Sequence, residues 1–193
     1  MKKCFFDFGC GDIGHQLKDA KLNEFYTVGI DTRKYEAWYS VYWNLYVNES
    51  LCGKFSEIKT DLRADEWASV SCFEHLKQDD ILSEISALVA LLKKDSVGYL
   101  HINLSDHSVT PSLEHIRNDT PTSGIPFDPL RPASYFGKFG HYLSDKHAHH
   151  INTVSKEEWI KIISQFFTYD TYIERHNKLG VHVIEFYELR LKE

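Results

Sequence analysis

The first fourteen residues, MKKCFFDFGCGDIG, constrain the fold of this chain more than any other stretch. Residues 3–8 predict a short buried strand, because aromatic residues and a cysteine run directly into a cluster of glycines. Gly9, Gly11 and Gly14 predict a turn that leads into a helix. This order presents free backbone N–H groups and the positive end of a helix, which suit a nucleotide-type ligand.

Strand and helix signals alternate after this turn. The patterns predict strands at 25–30, 56–62, 68–73 and 97–104, and helices at 12–20, 35–46 and 78–94. A capping box, Ser155-x-x-Glu158, predicts one more helix, and runs at 167–175 and 181–191 predict an antiparallel hairpin. The predicted fold class is α/β: a Rossmann-like, mostly parallel sheet with helices on both faces and a C-terminal antiparallel hairpin.

An aromatic stripe marks the segment 35–46. Six aromatic side chains recur there at helical spacing: Tyr35, Trp38, Tyr39, Tyr42, Trp43 and Tyr46. This spacing indicates a helix face that packs on the sheet, with stacking against a ring-bearing ligand as the alternative.

The length of 193 residues predicts a single domain, 1–193. Within it, 105–154 interrupts the regular pattern after the fifth predicted strand and holds all five prolines and six of the eleven histidines. We expect this insertion to be a candidate active-site cover. The net charge of −6 argues against nucleic-acid or membrane partners. Four cysteines without a CxxC pair, and no apparent signal peptide or membrane span, favour a cytoplasmic setting.

The glycine turn by itself allows two ligands. Gly9-Cys-Gly-Asp-Ile-Gly14 fits GxGxxG, and Asp31 follows about twenty residues later, so NAD and S-adenosylmethionine both remain open. Asp7 separates them. A carboxylate close to the turn would repel the pyrophosphate of a dinucleotide but would tolerate a sulfonium ligand that carries an ammonium group. S-adenosylmethionine is therefore favoured.

The segment Asp7-Phe-Gly-Cys-Gly11 resembles the D-x-G-x-G signature of class I S-adenosylmethionine-dependent methyltransferases. The resemblance continues in order through Val28-Gly-Ile-Asp31, Ile58-Lys-Thr-Asp61, Ser71-Cys-Phe-Glu-His-Leu76 and Gly98-Tyr-Leu-His-Ile102. It covers 3–104 and 155–191, since the final helix and hairpin also match a family whose seventh strand inserts antiparallel beside its fifth.

This resemblance implies a cofactor site. It places Asp7, Gly9, Cys10 and Gly11 at the methionine part of S-adenosylmethionine, and Asp31 on the two ribose hydroxyls. It also implies that Asp61 and Leu62 border the adenine, and that Cys72 and Phe73 lie beside the cofactor. No metal is expected.

Histidines are the candidates for the acceptor side. His107 and His75 follow predicted strands at the ligand-binding edge, so either could act as the base, with Asp106 orienting an imidazole. His141, His147 and His149 are candidate substrate-binding residues, with a metal site or a solvated surface cluster as alternatives.

The sequence therefore favours methyl transfer to a small-molecule acceptor. The hypothesis is O-methylation of a sugar or another metabolite, with a homo-oligomer or a partner subunit that covers the site left open. Two other functions also remain open. One is a noncatalytic, methyltransferase-like binding or regulatory subunit, and the other is an NAD-dependent oxidoreductase.

Overall fold

An eight-stranded sheet runs through the computed structural model, which describes residues 2–11, 14–104, 154–176 and 182–192. The strands are β1 (Cys4–Phe8), β2 (Tyr26–Asp31), β3 (Glu49–Cys52), β4 (Ala64–Val70), β5 (Leu92–Asn103), β6 (Phe167–Thr168), β7 (Thr171–His176) and β8 (His182–Leu191). The helices are α1 (His15–Leu22), α2 (Val41–Tyr46), α3 (Ile81–Ala90) and α4 (Lys156–Phe166).

The sheet is parallel from β3 to β5 and antiparallel at its C-terminal end. Its order is β3-β2-β1-β4-β5-β8-β6, and β7 also pairs with β8. β8 runs antiparallel to β5, β6 and β7. The predicted Rossmann-like fold with a C-terminal antiparallel hairpin is thus confirmed.

The two faces of the sheet are covered by different helices. Neighbouring residues of a strand point to opposite faces, and Phe6 and Phe5 on β1 separate accordingly. Phe6 belongs to a large apolar cluster that α3 and α4 complete with Ile85 and Trp159. Phe5 packs instead against a small cluster that contains Leu17 of α1 and Trp43 of α2. This smaller cluster lies beside the glycine turn, since Cys10 is one of its members.

The third and fourth strands differ from the predictions. The third was predicted at 56–62, but β3 is Glu49–Cys52 and pairs its last residue with Asp31 of β2. A parallel strand requires the chain to return to the opposite edge of the sheet before the next strand begins. Residues 53–63 make that return, so the predicted strand was wrong. The fourth strand, predicted at 68–73, correspondingly begins earlier, at Ala64.

The helix predictions need three adjustments. The predicted helix 35–46 is divided into a 3-10 turn, Glu36–Tyr39, and α2, whose N-cap Ser40 accepts a hydrogen bond from the Trp43 N–H. The helix predicted at 78–94 spans Ile81–Ala90 in α3, because β5 already begins at Leu92. α1 spans His15–Leu22 rather than 12–20.

The C-terminal elements follow the sequence pattern closely. Ser155 Oγ accepts a hydrogen bond from the Glu158 N–H at 3.2 Å, and the Glu158 carboxylate accepts one from the Ser155 N–H at 3.0 Å. This confirms the capping box that begins α4. The two predicted hairpin strands correspond to β6 with β7, and to β8. The predicted insertion 105–154 lies outside the described residues, apart from the buried Val154.

Candidate functional site

The candidate site lies at the carboxyl edge of the parallel strands, where the glycine turn follows β1. Open α/β sheets bind their ligands at this edge. The turn is attached to β2, because the N–H groups of Gly9 and Cys10 both donate to the Ile30 carbonyl, at 2.8 and 3.1 Å. This pairing places the turn directly beside Asp31, the last residue of β2.

Gly9 and Gly11 serve different purposes in this turn. Both have positive φ values, 79° and 60°. A Cβ on Gly9 would lie 2.5 Å from the Cys72 Sγ, so glycine is required there for packing. A Cβ on Gly11 would meet nothing within 4 Å among the described residues. Open space next to the backbone is what a closely approaching ligand needs, and Gly11 is the glycine that provides it.

Asp31 is hydrogen-bonded to the turn and can still accept hydrogen bonds from a ligand. Its Oδ2 accepts a hydrogen bond from the Gly11 N–H at 2.9 Å. Its Oδ1 lies 3.4 Å from the Arg33 N–H, which is a weak contact. A carboxylate can accept about four hydrogen bonds. Asp31 is half-buried and can therefore accept further hydrogen bonds from hydroxyl groups.

Asp7 lies beneath the turn as an incompletely bonded carboxyl group. It is 1% exposed, and its Oδ2 has no hydrogen-bond partner among the described residues. Burial, together with the charge of Asp31, raises the pKa of Asp7 to about 8. An unpartnered buried carboxyl group is costly for folding, so its presence points to a ligand group that completes it.

The remaining cofactor candidates on this edge differ in accessibility. Burial, followed by neighbouring acidic charge, raises the pKa values of the Cys10 and Cys72 thiols, so both are packing groups rather than nucleophiles. The side chain of Phe73 is fully buried between Phe55 and Trp159 and faces the large apolar cluster. Cys72 lies against Gly9 of the turn, whereas the Phe73 side chain packs within the large apolar cluster.

Asp61 and Leu62 do not reach this edge. They stand three and two residues before Ala64, where β4 begins, which is the amino end of the parallel strands. The resemblance had assigned them to the adenine on the assumption of a strand at 56–62. Because β3 ends at Cys52 instead, Cys52 and Gly53 occupy the corresponding place beside Asp31, and the Gly53 N–H donates to the Asp31 carbonyl at 2.9 Å.

The structure adds a second incompletely bonded carboxyl group, which sequence reasoning missed. Glu74 is fully buried in the 3-10 turn after β4. Its Oε1 accepts a hydrogen bond from the Asn103 amide at 2.5 Å, and its Oε2 has no partner among the described residues. Burial raises the pKa of Glu74 to about 7, although hydrogen bonds partly oppose the shift. No sequence pattern reveals this, since the effect comes from packing.

The predicted histidines are only partly described. His75 is half-buried in the same 3-10 turn, and its backbone N–H donates to the Cys72 carbonyl at 2.9 Å. His107, His141, His147 and His149 lie outside the described residues, as does Asp106. Among the residues that are described, no group of three or more His, Cys, Asp or Glu is placed to hold a metal ion.

Trp38 is another contact that sequence reasoning missed. Its indole Nε1 donates to the Gly11 carbonyl at 2.8 Å, so a side chain from the aromatic stripe touches the glycine turn. The helical spacing of the stripe correctly indicated burial, since Trp38 and Trp43 are 7% and 5% exposed. Spacing cannot indicate which polar atom a buried indole reaches.

The chain is similar to solved structures of methyltransferases and of a cyclopropane synthase. No protein-family model and no curated protein matches the sequence. The chain is similar to a Burkholderia thailandensis 1,6-didemethyltoxoflavin-N1-methyltransferase, whose structure contains 1,6-didemethyltoxoflavin and S-adenosylhomocysteine. The identity is 13%, 99% of this chain and 72% of that chain are covered, and the TM-score is 0.66.

Two further structures extend the comparison. A mycolic acid cyclopropane synthase, complexed with S-adenosylhomocysteine, matches with 14% identity over 98% of this chain and 78% of that chain, with a TM-score of 0.64. The mitomycin 7-O-methyltransferase matches with 15% identity over 97% of this chain and a TM-score of 0.56, and this chain spans 49% of its length.

The chain thus has the fold of the class I S-adenosylmethionine-dependent methyltransferases. At identities of 13–15%, the likeness extends to the fold, and the chemistry must be argued from the site. Within the part of the chain that the structure describes, no helix is long and apolar enough to cross a membrane.

Proposed function

We propose that this protein is an S-adenosylmethionine-dependent methyltransferase that acts on a small-molecule acceptor in the cytoplasm. One observation carries the proposal: the unpartnered, fully buried carboxyl group of Asp7 lies beneath a glycine turn whose Gly11 is open to a ligand. Neighbouring structures solved with S-adenosylhomocysteine share this fold and support the choice of cofactor.

The charges at the turn fit this cofactor. S-adenosylmethionine carries a positive sulfonium and a positive ammonium group. Asp31 supplies negative charge beside the turn, and Asp7, whose pKa burial raises to about 8, would ionise as a cationic group approaches. The ammonium group would give Asp7 Oδ2 the partner it lacks and would restore its ionised form. A dinucleotide would instead bring a pyrophosphate towards the Asp7 carboxyl group and would offer it no cationic partner, so NAD is disfavoured.

Different residues of the chain would bind different parts of the cofactor. Gly9, Cys10 and Gly11 would border the methionine part, with backbone carbonyls as acceptors for its ammonium group, since their N–H groups are bonded within the fold. Asp31 would accept hydrogen bonds from the ribose hydroxyls. Cys52 and Gly53 would border the adenine in place of Asp61 and Leu62, because they follow β3 at the carboxyl edge. Cys72 would line the floor beside Gly9.

The bound cofactor supplies an electrophilic methyl group. The protein's part is to align an acceptor with it and to remove a proton where the acceptor is a hydroxyl group. Glu74 is a group of the right type for that proton, since it is buried at the carboxyl edge and one oxygen is unpartnered. His107 and His75 remain alternatives for the base, and His141, His147 and His149 remain candidates for binding the acceptor.

The acceptor is proposed to be a small metabolite, with O-methylation of a sugar as the leading hypothesis. The mitomycin neighbour is a 7-O-methyltransferase, whereas the toxoflavin neighbour is an N1-methyltransferase, so the fold accommodates transfer to oxygen and to nitrogen. The net charge of −6 favours a small acceptor over a nucleic acid. A noncatalytic subunit that retains the cofactor site is the second candidate, because binding groups alone do not establish turnover.

Calorimetry with S-adenosylhomocysteine tests the proposal. We expect the wild type to bind it, and Asp31→Ala to lose about 1.5–3 kcal/mol of binding free energy, the cost of a hydrogen bond to a charged group. Asp61→Ala is the matched control. It removes an exposed carboxylate at the opposite edge and should leave the affinity unchanged.

Three outcomes would count against the proposal. Failure of the wild type to bind S-adenosylhomocysteine would exclude it, and NADH fluorescence enhancement in its place would favour an oxidoreductase. An unchanged affinity in Asp31→Ala would remove Asp31 from the ribose role. Binding without methyl transfer to phenol, sugar and amine acceptors would favour the noncatalytic subunit.

A further inference from the structure

Both polar backbone groups of Gly11 are bonded to side chains. The N–H donates to Asp31 Oδ2 at 2.9 Å, and the carbonyl accepts from Trp38 Nε1 at 2.8 Å. These two bonds fix the peptide planes on either side of Gly11. A glycine would otherwise have wide conformational freedom, so the two side chains hold the Gly11 backbone at its φ of 60°.

Trp38 is itself held in place by the small aromatic cluster. Its ring stacks on Trp43, with centroids 5.4 Å apart and planes inclined by 20°. Trp43 is tied to β3 through a hydrogen bond from its Nε1 to Ser50 Oγ at 2.8 Å. The indole N–H of Trp38 therefore reaches the turn from a rigid support that is anchored to the sheet.

The two bonds at Gly11 leave its ligand side clear. No described atom lies within 4 Å of the position that a Cβ would take on this residue. The other end of the turn is fixed by the bonds from Gly9 and Cys10 to the Ile30 carbonyl. A turn held in this way does not have to be ordered when a ligand arrives, which reduces the entropic cost of binding.

We propose that Trp38 is a positioning residue for the cofactor, which holds the Gly11 carbonyl so that the open side of the glycine turn is preformed. This inference rests on the proposed cofactor site. It also gives the aromatic stripe a functional part that burial alone does not explain: Trp38 acts through the backbone of Gly11, while Trp43 and Ser50 support it.

The test compares two tryptophan variants in their binding of S-adenosylhomocysteine. Trp38→Phe keeps a ring that can stack on Trp43 but removes the N–H donor, and we expect about five- to tenfold weaker binding for the loss of one hydrogen bond. Trp43→Phe is the matched control, because it removes an indole N–H from the same cluster without a polar contact to the turn. Because Trp43→Phe keeps a ring that can stack on Trp38 and leaves the Trp38 N–H in place, its affinity should fall clearly less than that of Trp38→Phe.

A spectroscopic readout separates positioning from simple stability. The indole N–H proton resonance of Trp38, identified by its absence from the Trp38→Phe spectrum, should shift when S-adenosylhomocysteine binds, and that of Trp43 should shift much less. If Trp38→Phe does not fold, replacing the indole at position 38 with a benzothiophene keeps the ring shape and removes the N–H alone.

The outcomes distinguish this inference from the proposed function. A wild type that does not bind S-adenosylhomocysteine overturns both. A wild type that binds, together with a Trp38→Phe variant of equal affinity, overturns the positioning role alone. Equal losses of affinity in Trp38→Phe and Trp43→Phe, matched by equal losses of thermal stability, would also overturn it, because that pattern reflects general loosening of the cluster.

Discussion

Buried carboxyl groups in two regions of this molecule differ in how completely their oxygens are hydrogen-bonded. On β8, Glu185 is 2% exposed and accepts hydrogen bonds from Arg175 at 2.8 and 2.9 Å and from the Tyr99 hydroxyl at 2.7 Å. His101 Nδ1 lies 3.3 Å away as well. At the glycine-turn edge, Asp7 and Glu74 are equally buried, yet each has an oxygen without a partner among the described residues.

The pKa values follow this difference. Hydrogen bonds from Arg175, Tyr99 and His101 outweigh burial and lower the pKa of Glu185 to about 2. Burial dominates at the other site and raises the pKa of Asp7 to about 8. The fold supplies Glu185 with several donors and leaves Asp7 incomplete at a cost to stability, and this difference supports the proposed ligand role of Asp7.

Removing Glu185 should produce the largest effect. Glu185→Ala leaves Tyr99 and His101 without their acceptor and should destabilise the fold by about 2–4 kcal/mol at pH 7, below the upper range for a buried pair because Arg175 is half exposed. Urea unfolding measures this loss. Glu157→Ala, at a carboxylate 76% exposed, is the control and should cost no more than about 0.5 kcal/mol.

The pH dependence of this loss has a definite sign. The pKa of Glu185 is lowered from 4.5 to about 2, so its stabilising contribution is fully present above 4.5 and disappears as the pH falls towards 2. The difference between wild type and Glu185→Ala should therefore shrink over that interval. A difference that stays constant down to pH 2 would show that the loss comes from packing rather than from the ion pair.

Replacing Asp7 should have the opposite effect. The pKa of Asp7 is raised from 3.8 to about 8, so the wild type loses stability as the pH rises between these values. Asp7→Asn cannot ionise, and each pKa unit corresponds to about 1.4 kcal/mol. Since local rearrangement and water entry absorb part of this energy, we expect a gain of about 2–3 kcal/mol over the wild type at pH 9 and almost none at pH 4.

Glu84→Gln is the control for Asp7→Asn. Glu84 is also buried, but Ser56 donates to both of its oxygens, at 2.5 and 3.3 Å. This variant should not gain stability at any pH. If Asp7→Asn is less stable than the wild type at pH 9, Asp7 has partners that complete it, and the contrast with Glu185 fails.

The sequence predicts the Asp7 and glycine-turn region better than it predicts the contacts that arise from packing. Asp7, the glycine turn and Asp31 are linked by a local motif, and the parallel part of the sheet follows from alternating strand and helix signals. β3 was missed because it is a four-residue strand, Glu49–Cys52, with a polar composition. Because this strand was missed, Asp61 and Leu62 were wrongly assigned to the adenine. Desolvation of Glu74 and the bond from Trp38 to Gly11 arise from packing between distant segments, which periodicity does not encode.

Replacing Glu74 should have the smallest effect on stability, and it tests whether Glu74 resembles Asp7 or Glu185. Its pKa is raised from 4.5 to about 7, so Glu74→Gln should gain stability over the wild type between these values and level off above pH 7. We expect about 1–2 kcal/mol at the plateau, because the shift is smaller than that of Asp7 and the amide can still accept the bond from Asn103. Urea unfolding at pH 5, 7 and 9 measures it.

The shape of the two pH profiles decides whether Glu74 belongs with Asp7. Glu74 is bonded to the Asn103 amide, which also lies 3.3 Å from His101 Nε2, and its charge acts on the Cys72 thiol. Both gains should rise with pH and then level off, and that of Glu74→Gln should reach its plateau at a lower pH than that of Asp7→Asn. A loss of stability in Glu74→Gln would instead place Glu74 with Glu185, as a carboxylate that the fold itself completes, and would remove it as a candidate base.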